Sequence, residues 1–161
     1  MQTKSGAMTD VHSKTARSKN MRAIKAKNTQ PEMLIRQALY ARGFRYRLHD
    51  KGLPGTPDIV LKKYNALIFI NGCFWHGHRC HLSKIPQTRT AFWLAKISDN
   101  IARDQRHQNQ LQASEWRYAL IWECALKGKT RLRTDYLIDC LEEWIIDSNS
   151  KSLEISGVSV K

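Results

Sequence analysis

The chain has 161 residues, with 27 Lys+Arg against 14 Asp+Glu and a formal net charge of +13, a length that suits one domain with a sizeable core. Apolar residues at 42% and charged residues at 25% exclude a globally disordered chain. No stretch approaches the roughly 18 apolar residues of a membrane span, and residues 1–10 lack the apolar core of a secretory signal.

In chain order, residues 1–28 form a basic arm. Lys4, Lys14, Arg17, Lys19, Arg22, Lys25 and Lys27 face Asp10 alone, and with few large apolar side chains the arm cannot fold by itself. It is expected to order on a polyanion, the bland alternative being a solubilising tail. Thr29, Pro31 and Glu32 carry the signature of a capped helix start. Leu34, Ile35, Ala38 and Leu39 follow at helical spacing, and Gly43 ends the helix. Residues 44–48 alternate like a strand, and Leu53–Pro57 is a turn. The apolar runs 58–61 and 66–70 are expected to be buried strands, followed by a Gly/Cys/His-rich loop at 71–84. A polar helix over 90–113, a strand over 117–122 and an amphipathic helix over 136–146 come next, with a flexible Ser-rich tail over 148–161. The order α-β-β-β-α-β-α implies an α/β sandwich around a small mixed sheet, with residues 29–147 as the domain.

The charge is the first functional clue. A pI near 9.9 on a small chain is the footprint of a nucleic-acid binder. A solvated basic surface and anionic lipid are the alternatives, but lipid binding would want a basic amphipathic helix with one strongly apolar face, and none stands out. The expectation is an intracellular, cytoplasmic protein with no membrane partner, whose four cysteines serve metal ligation or burial rather than disulfides.

Residues 72–81 concentrate two cysteines and three histidines. Tetrahedral zinc takes four Cys/His ligands, and Cys73, His78 and Cys80 need one distant partner. Cys124, just after the last expected strand, supplies it, whereas Cys140 sits beside an apolar stripe and reads as core. Pro57–Asp58 heads a strand, where a rigid carboxylate can anchor a catalytic divalent ion; alone, such a pair is more often a turn. Glu32 reads first as a helix cap. Phe74, Trp75 and Trp93 are aromatic wedges if exposed and core if not.

Read together, Gly72–His76 (Gly-Cys-Phe-Trp-His), Pro57–Asp58, Thr88–Leu94, Trp122–Leu126 and Arg17–Ile24 resemble the very short patch repair endonuclease family over about residues 11–144, with Met8 as an alternative start. The resemblance implies a restriction-endonuclease-like α/β/α fold with a structural zinc site. It also implies nicking 5′ to the thymine of a T·G mismatch left by deamination of 5-methylcytosine, within a preferred sequence context. On that likeness Asp58 and the backbone carbonyl of Ile70 would bind catalytic Mg2+, His76 would act on the attacking water, and Glu32 would sit beside it. Cys73, His78, Cys80 and Cys124 would hold Zn2+. Phe74, Trp75 and Trp93 would enter the base stack, Met21 would approach from the other groove, and Arg17, Lys19 and Arg22 would contact DNA. The family often carries Thr and His where this chain has Ile70 and Asn71; a carbonyl ligand survives that change, while the lost imidazole alters how metal-bound waters are held. A monomer acting on double-stranded DNA is expected, with mismatch-repair proteins as further partners. The rival reading is a zinc-stabilised DNA-binding module of the same fold with weak or no cleavage.

Overall fold

The computed structural model describes residue 15, residues 27–157 and residues 160–161. Arg17, Lys19, Met21 and Arg22 lie outside the described residues, as does most of the basic arm. Helix α1 spans Gln30–Ala41; its N-cap Thr29 side chain accepts the Glu32 N–H at 3.4 Å, and Pro31 occupies the first turn. Gly43, at φ +90°, reverses the chain so that the Phe44 N–H reaches the Leu39 carbonyl at 3.0 Å. That left-handed turn costs glycine little. Strands β1 (Arg47–Leu48), β2 (Ile59–Leu61) and β3 (Ala66–Asn71) follow, then α2 (Thr90–Gln112), β4 (Arg117–Trp122), α3 (Thr134–Ile146) and β5 (Ser152–Ile155).

One five-stranded mixed sheet runs β1-β2-β3-β4-β5. The first two pairings are antiparallel and the last two parallel. The period of two along each strand divides the core between two faces. Ile59, Leu61, Ala66, Ile68, Ala119 and Ile121 join Ile35, Leu39, Leu137, Leu141 and Ile145 of α1 and α3 on one face. Val60, Leu67, Tyr118 and Leu120 meet Leu111 of α2 on the other. Helices therefore cover both faces, as the sequence pattern requires for strands buried on both sides. No helix among the described residues is long and apolar enough to cross a membrane.

Two expectations need correction. Residues 44–46 do not pair in the sheet; Phe44 is buried against α1 and the Tyr46 hydroxyl donates to the Arg36 carbonyl at 2.8 Å, leaving a two-residue strand. Nor is 148–161 a loose tail throughout. Residues 152–155 pair in parallel with β4 and bury Leu153 and Ile155.

Arg117 explains why that last strand docks. Its buried guanidinium donates to the carbonyls of Trp144, Ile145 (3.2 Å), Asp147 (2.8 Å) and Ser150 (3.0 Å). It thereby satisfies the C-terminal carbonyls of α3 that no helical N–H can reach and holds the turn into β5. Burial of Arg117 lowers its pKa from the usual guanidinium value, but a guanidinium remains charged in proteins.

Ile155 is fully buried, so Ile155→Ala should lower unfolding free energy by about 2–5 kcal/mol, the usual range for emptying a packed aliphatic site. Urea unfolding measures it. A loose tail would show a change within about 0.5 kcal/mol.

Candidate functional site

The chemistry gathers where β3 ends. A cleft of about 590 Å3 opens there, lined by Asp58, Ile70, Asn71, His76 and Asp104, with Lys51 and Arg103 on its wall. Asp58 precedes β2, and antiparallel pairing of β2 with β3 (Ile59 opposite Ile68) brings it beside the end of β3. There its Oδ2 accepts the Ile70 N–H at 2.7 Å.

Burial is the first cause that raises the Asp58 pKa to about 6; the Glu32 charge adds to it, and the Ile70 N–H, His49 and His76 oppose it. Water is partly excluded, so the charged form lacks solvation. A carboxylate of this kind gains much from a cation. His76 is held by α2: its Nδ1 faces Asp104 Oδ2 at 2.5 Å. A carboxylate at Asp104 can only accept, so Nδ1 carries the proton of this bond, and in the neutral ring Nε2 keeps its lone pair.

Glu32 makes the helix-capping contact that the sequence allowed and lies within 4.8 Å of Asp58. It is 2% exposed, and its Oε2 accepts the Asn28 N–H at 2.9 Å, a helix-capping contact. Its Oε1 lies 2.7 Å from His49 Nε2 and 3.5 Å from Arg36 Nη1. Its partners are thus Asn28, Arg36 and His49, while His76 is held by Asp104. His49 was not singled out in the sequence, nor was Asp104. Of the two, Asp104 left a signal: Ile97, Asn100, Asp104 and Leu111 fall on one helical stripe, and polar side chains on such a stripe need inward partners.

Cys73, His78, Cys80 and Cys124 present ligand atoms all within 4.8 Å of one another. The route is visible in the register. Asn71 pairs with Trp122 at the ends of β3 and β4, so Cys73 and Cys124, each two residues further on, emerge side by side. The Cys124 N–H points to Cys73 Sγ at 3.3 Å, and the Gly157 N–H to Cys124 Sγ at 3.3 Å. Burial pushes both thiol pKa values up and the His78 pKa down. All four cysteines are free of disulfides. Three thiols and one imidazole, with N–H donors already aimed at sulfur, fit a tetrahedral soft or borderline metal ion. Trp122 stacks on His78, with ring centroids 4.4 Å apart and planes at 15°. Cys140 stands apart, half-buried against the main core.

Between these two centres runs the aromatic loop. Phe74, Trp75 and Trp93 form an edge-to-face cluster with centroids 5.0–5.9 Å apart. All three are half-buried, neither core nor fully exposed. Helix α2 grips the loop: Asn100 Nδ2 donates to the Trp75 carbonyl at 2.9 Å. Gly77 lies so close that a Cβ would sit 2.5 Å from Ile101 Cδ1.

Comparison with known proteins gives the family of the chain. Residues 9–82 match the family described as DNA mismatch endonuclease Vsr. The chain is 45% identical over 152 residues to the DNA mismatch endonuclease Vsr of Escherichia coli strain K12, covering 94% of this chain and 97% of that protein. It is 45% identical over 126 residues to the type II nicking enzyme V.NmeAIP of Neisseria meningitidis, covering 78% of this chain and 90% of the relative. With the type II nicking enzyme V.XorIIP of Xanthomonas oryzae pv. oryzae it shares 46% identity over 134 residues, covering 82% and 98%.

The raised Asp58 pKa has a consequence for stability. The unfolded group ionises near 3.8 and the folded one at about 6, so ionising it costs the folded state about 3 kcal/mol more. The favourable contribution is fully present below pH ~4 and lost as pH rises to about 6. With no divalent cation added, Asp58→Asn should flatten this part of the stability–pH profile and stabilise the chain at pH 7. Denaturant unfolding across pH 4–7 checks it; a variant profile that falls as steeply as the parent's would contradict the assignment.

Proposed function

The chain belongs to the DNA mismatch endonuclease Vsr family, and on that premise we propose that it nicks one strand of DNA 5′ to the thymine of a T·G mismatch. The nick starts repair of deaminated 5-methylcytosine and depends on the flanking sequence. The observation that carries the reading is the single cleft that gathers Asp58, His76 and Asp104 beside Lys51 and Arg103. Hydrolysis of a phosphodiester needs an activated water, a proton acceptor and neutralisation of the phosphate, and one cleft offers residues for all three. The alternative, a zinc-stabilised DNA-binding module that does not cut, is not favoured by relatives that are themselves named as an endonuclease and nicking enzymes.

In this reading Asp58 and the Ile70 carbonyl would hold Mg2+, which would make the attacking water more acidic and offset phosphate charge. Asp104 orients His76 through Nδ1, so Nε2 takes the proton of the attacking water. Lys51 and Arg103 draw the phosphate backbone into the cleft. Glu32 acts on Asp58 through charge and through His49. Cys73, His78, Cys80 and Cys124 hold Zn2+, which stiffens the loop that bears Phe74 and Trp75. With Trp93, these rings wedge beside the mismatch, where opening a weak T·G step costs least. Arg17, Lys19, Met21 and Arg22 of the arm engage the duplex from outside this loop, and the remaining basic charge supplies salt-dependent affinity. The fold is of the restriction-endonuclease kind, and the protein works as a cytoplasmic, nucleoid-associated monomer with mismatch-repair proteins as partners.

Asp58→Ala should abolish nicking of a T·G duplex and leave mismatch binding within a few-fold of the parent. His76→Ala should lose about 10²–10⁴-fold in turnover. Single-turnover cleavage and filter binding separate the two effects, and near-parental nicking by Asp58→Ala would overturn the site. For the metal centre, elemental analysis of the purified chain should find one zinc. Cys124→Ser should lose it and melt lower, whereas Cys140→Ser should keep it. A zinc-free parent would overturn this part.

A further inference from the structure

The sequence singled out no role for His49, yet the structure turns two carboxylates towards it. Glu32 commits Oε2 to the Asn28 N–H at 2.9 Å and places Oε1 2.7 Å from His49 Nε2. Asp58 commits Oδ2 to the Ile70 N–H at 2.7 Å and leaves Oδ1 3.9 Å from the same nitrogen. Each acid therefore spends one oxygen on the backbone and turns the other towards one imidazole, Glu32 Oε1 also lying 3.5 Å from Arg36 Nη1. The ligand atoms of Glu32, His49 and Asp58 all lie within 4.8 Å of one another. Metal–oxygen and metal–nitrogen bonds of about 2.0–2.2 Å bridge such a triangle after shifts well under an ångström.

The backbone supports the same placement. His49 sits at φ +48°, in the left-handed region, which side chains other than glycine, Asn, Asp and His seldom adopt. Its N–H donates to the Asp58 carbonyl at 3.2 Å, tying the two residues together. A Glu32–His49 hydrogen bond alone would account for a cap and a buried acid. It gives no reason for the free oxygen of Asp58 to face the same Nε2.

We infer that Glu32, His49 and Asp58 form a mixed nitrogen–oxygen site in which His49 Nε2, its proton released to solvent and the ring left as the Nδ1–H tautomer, ligates the divalent ion at Asp58 and tilts its preference from Mg2+ towards Mn2+ or Co2+. The inference rests on the reading of Asp58 as a metal ligand and adds to it the nature of the ion. Mg2+ keeps oxygen ligands and several waters. Imidazole favours later divalent ions, and carboxylate accepts Mn2+ as readily as Mg2+. Two acids and one imidazole therefore admit Mn2+, and favour the borderline Co2+, over Mg2+.

The experiment uses the full chain as purified, without DNA. Mn2+ and Mg2+ are titrated calorimetrically into the parent, His49→Gln and Asp58→Asn, with thermal unfolding of each as a control. Pulsed electron paramagnetic resonance of Mn2+ on the parent then reads directly whether a nitrogen is bound. The expected result is an imidazole nitrogen modulation in the parent that disappears in His49→Gln. Mn2+ affinity should fall at least about tenfold in that variant, while Mg2+ affinity stays within a few-fold. A parent spectrum without nitrogen coupling, or Mn2+ binding equal in His49→Gln and parent, overturns the inference. If Asp58→Asn still abolishes binding in that case, the Asp58 reading stands; if it does not, both fall. If His49→Gln fails to fold, a parent spectrum without nitrogen coupling still overturns the inference, and a coupling that is lost in His76→Ala overturns it as well, whereas one that persists there assigns the nitrogen to His49.

Discussion

The parallel pairing of β3 with β4 is the constraint on which the functional edge depends. Both strands are buried on both faces, so their register is fixed: a slip by one residue would turn every core side chain to the wrong layer. That register sets Asn71 opposite Trp122, and the chains leaving the two strands carry Cys73 and Cys124 to the same point. The other neighbour of β3 is β2, whose antiparallel register delivers Asp58 to the Ile70 N–H. One strand thus locates a carboxylate on one side and a Cys/His cluster on the other. The loop between the two centres has little freedom left.

Helix α2 completes the restraint. Its inward stripe holds that loop by Asn100 on the Trp75 carbonyl and by Asp104 on His76. The outward positions are mostly polar, despite exposed Phe92 and Leu94, so the helix looks like a solvated element. The electrostatic consequence is a basic protein with a small acidic hollow. A net charge of +13 draws a polyanion from any direction. At Asp58, beside Glu32, the balance reverses locally, and burial with the Glu32 charge raises the pKa of the carboxylate. Phosphate affinity and metal affinity are therefore separated in space, and the cleft is where they meet.

Much of this was legible in the sequence because it rests on local chemistry. Thr29, Pro31 and Glu32 announce α1, and the apolar runs at 58–61 and 66–70 announce the buried strands. Cys73, His78 and Cys80 are close in sequence, and Cys124 follows a strand whose partner could be guessed. What stayed hidden depends on tertiary context. Strand β5 is short and Ser-flanked, with only Leu153 and Ile155 to mark it, and its docking comes from Arg117, whose carbonyl partners lie about 30 residues away. Glu32 was read both as a cap and as a site residue. The structure gives each of its oxygens a separate task, which no spacing rule could foretell. His49 reaches Glu32 and Asp58 through a left-handed backbone that a non-glycine residue does not advertise.

Metal-dependent mismatch nicking is tested most directly by mapping the product. The purified full chain is incubated with a duplex carrying one T·G mismatch and with the same duplex carrying C·G, each strand end-labelled in turn, with Mg2+ or Mn2+ and with chelator. The expected product is a single break in the thymine strand immediately 5′ to the mismatched base, formed only with the cation and far faster than any break in the C·G duplex. Equal cutting of both duplexes, cutting of both strands, or binding with no break under any cation would contradict it.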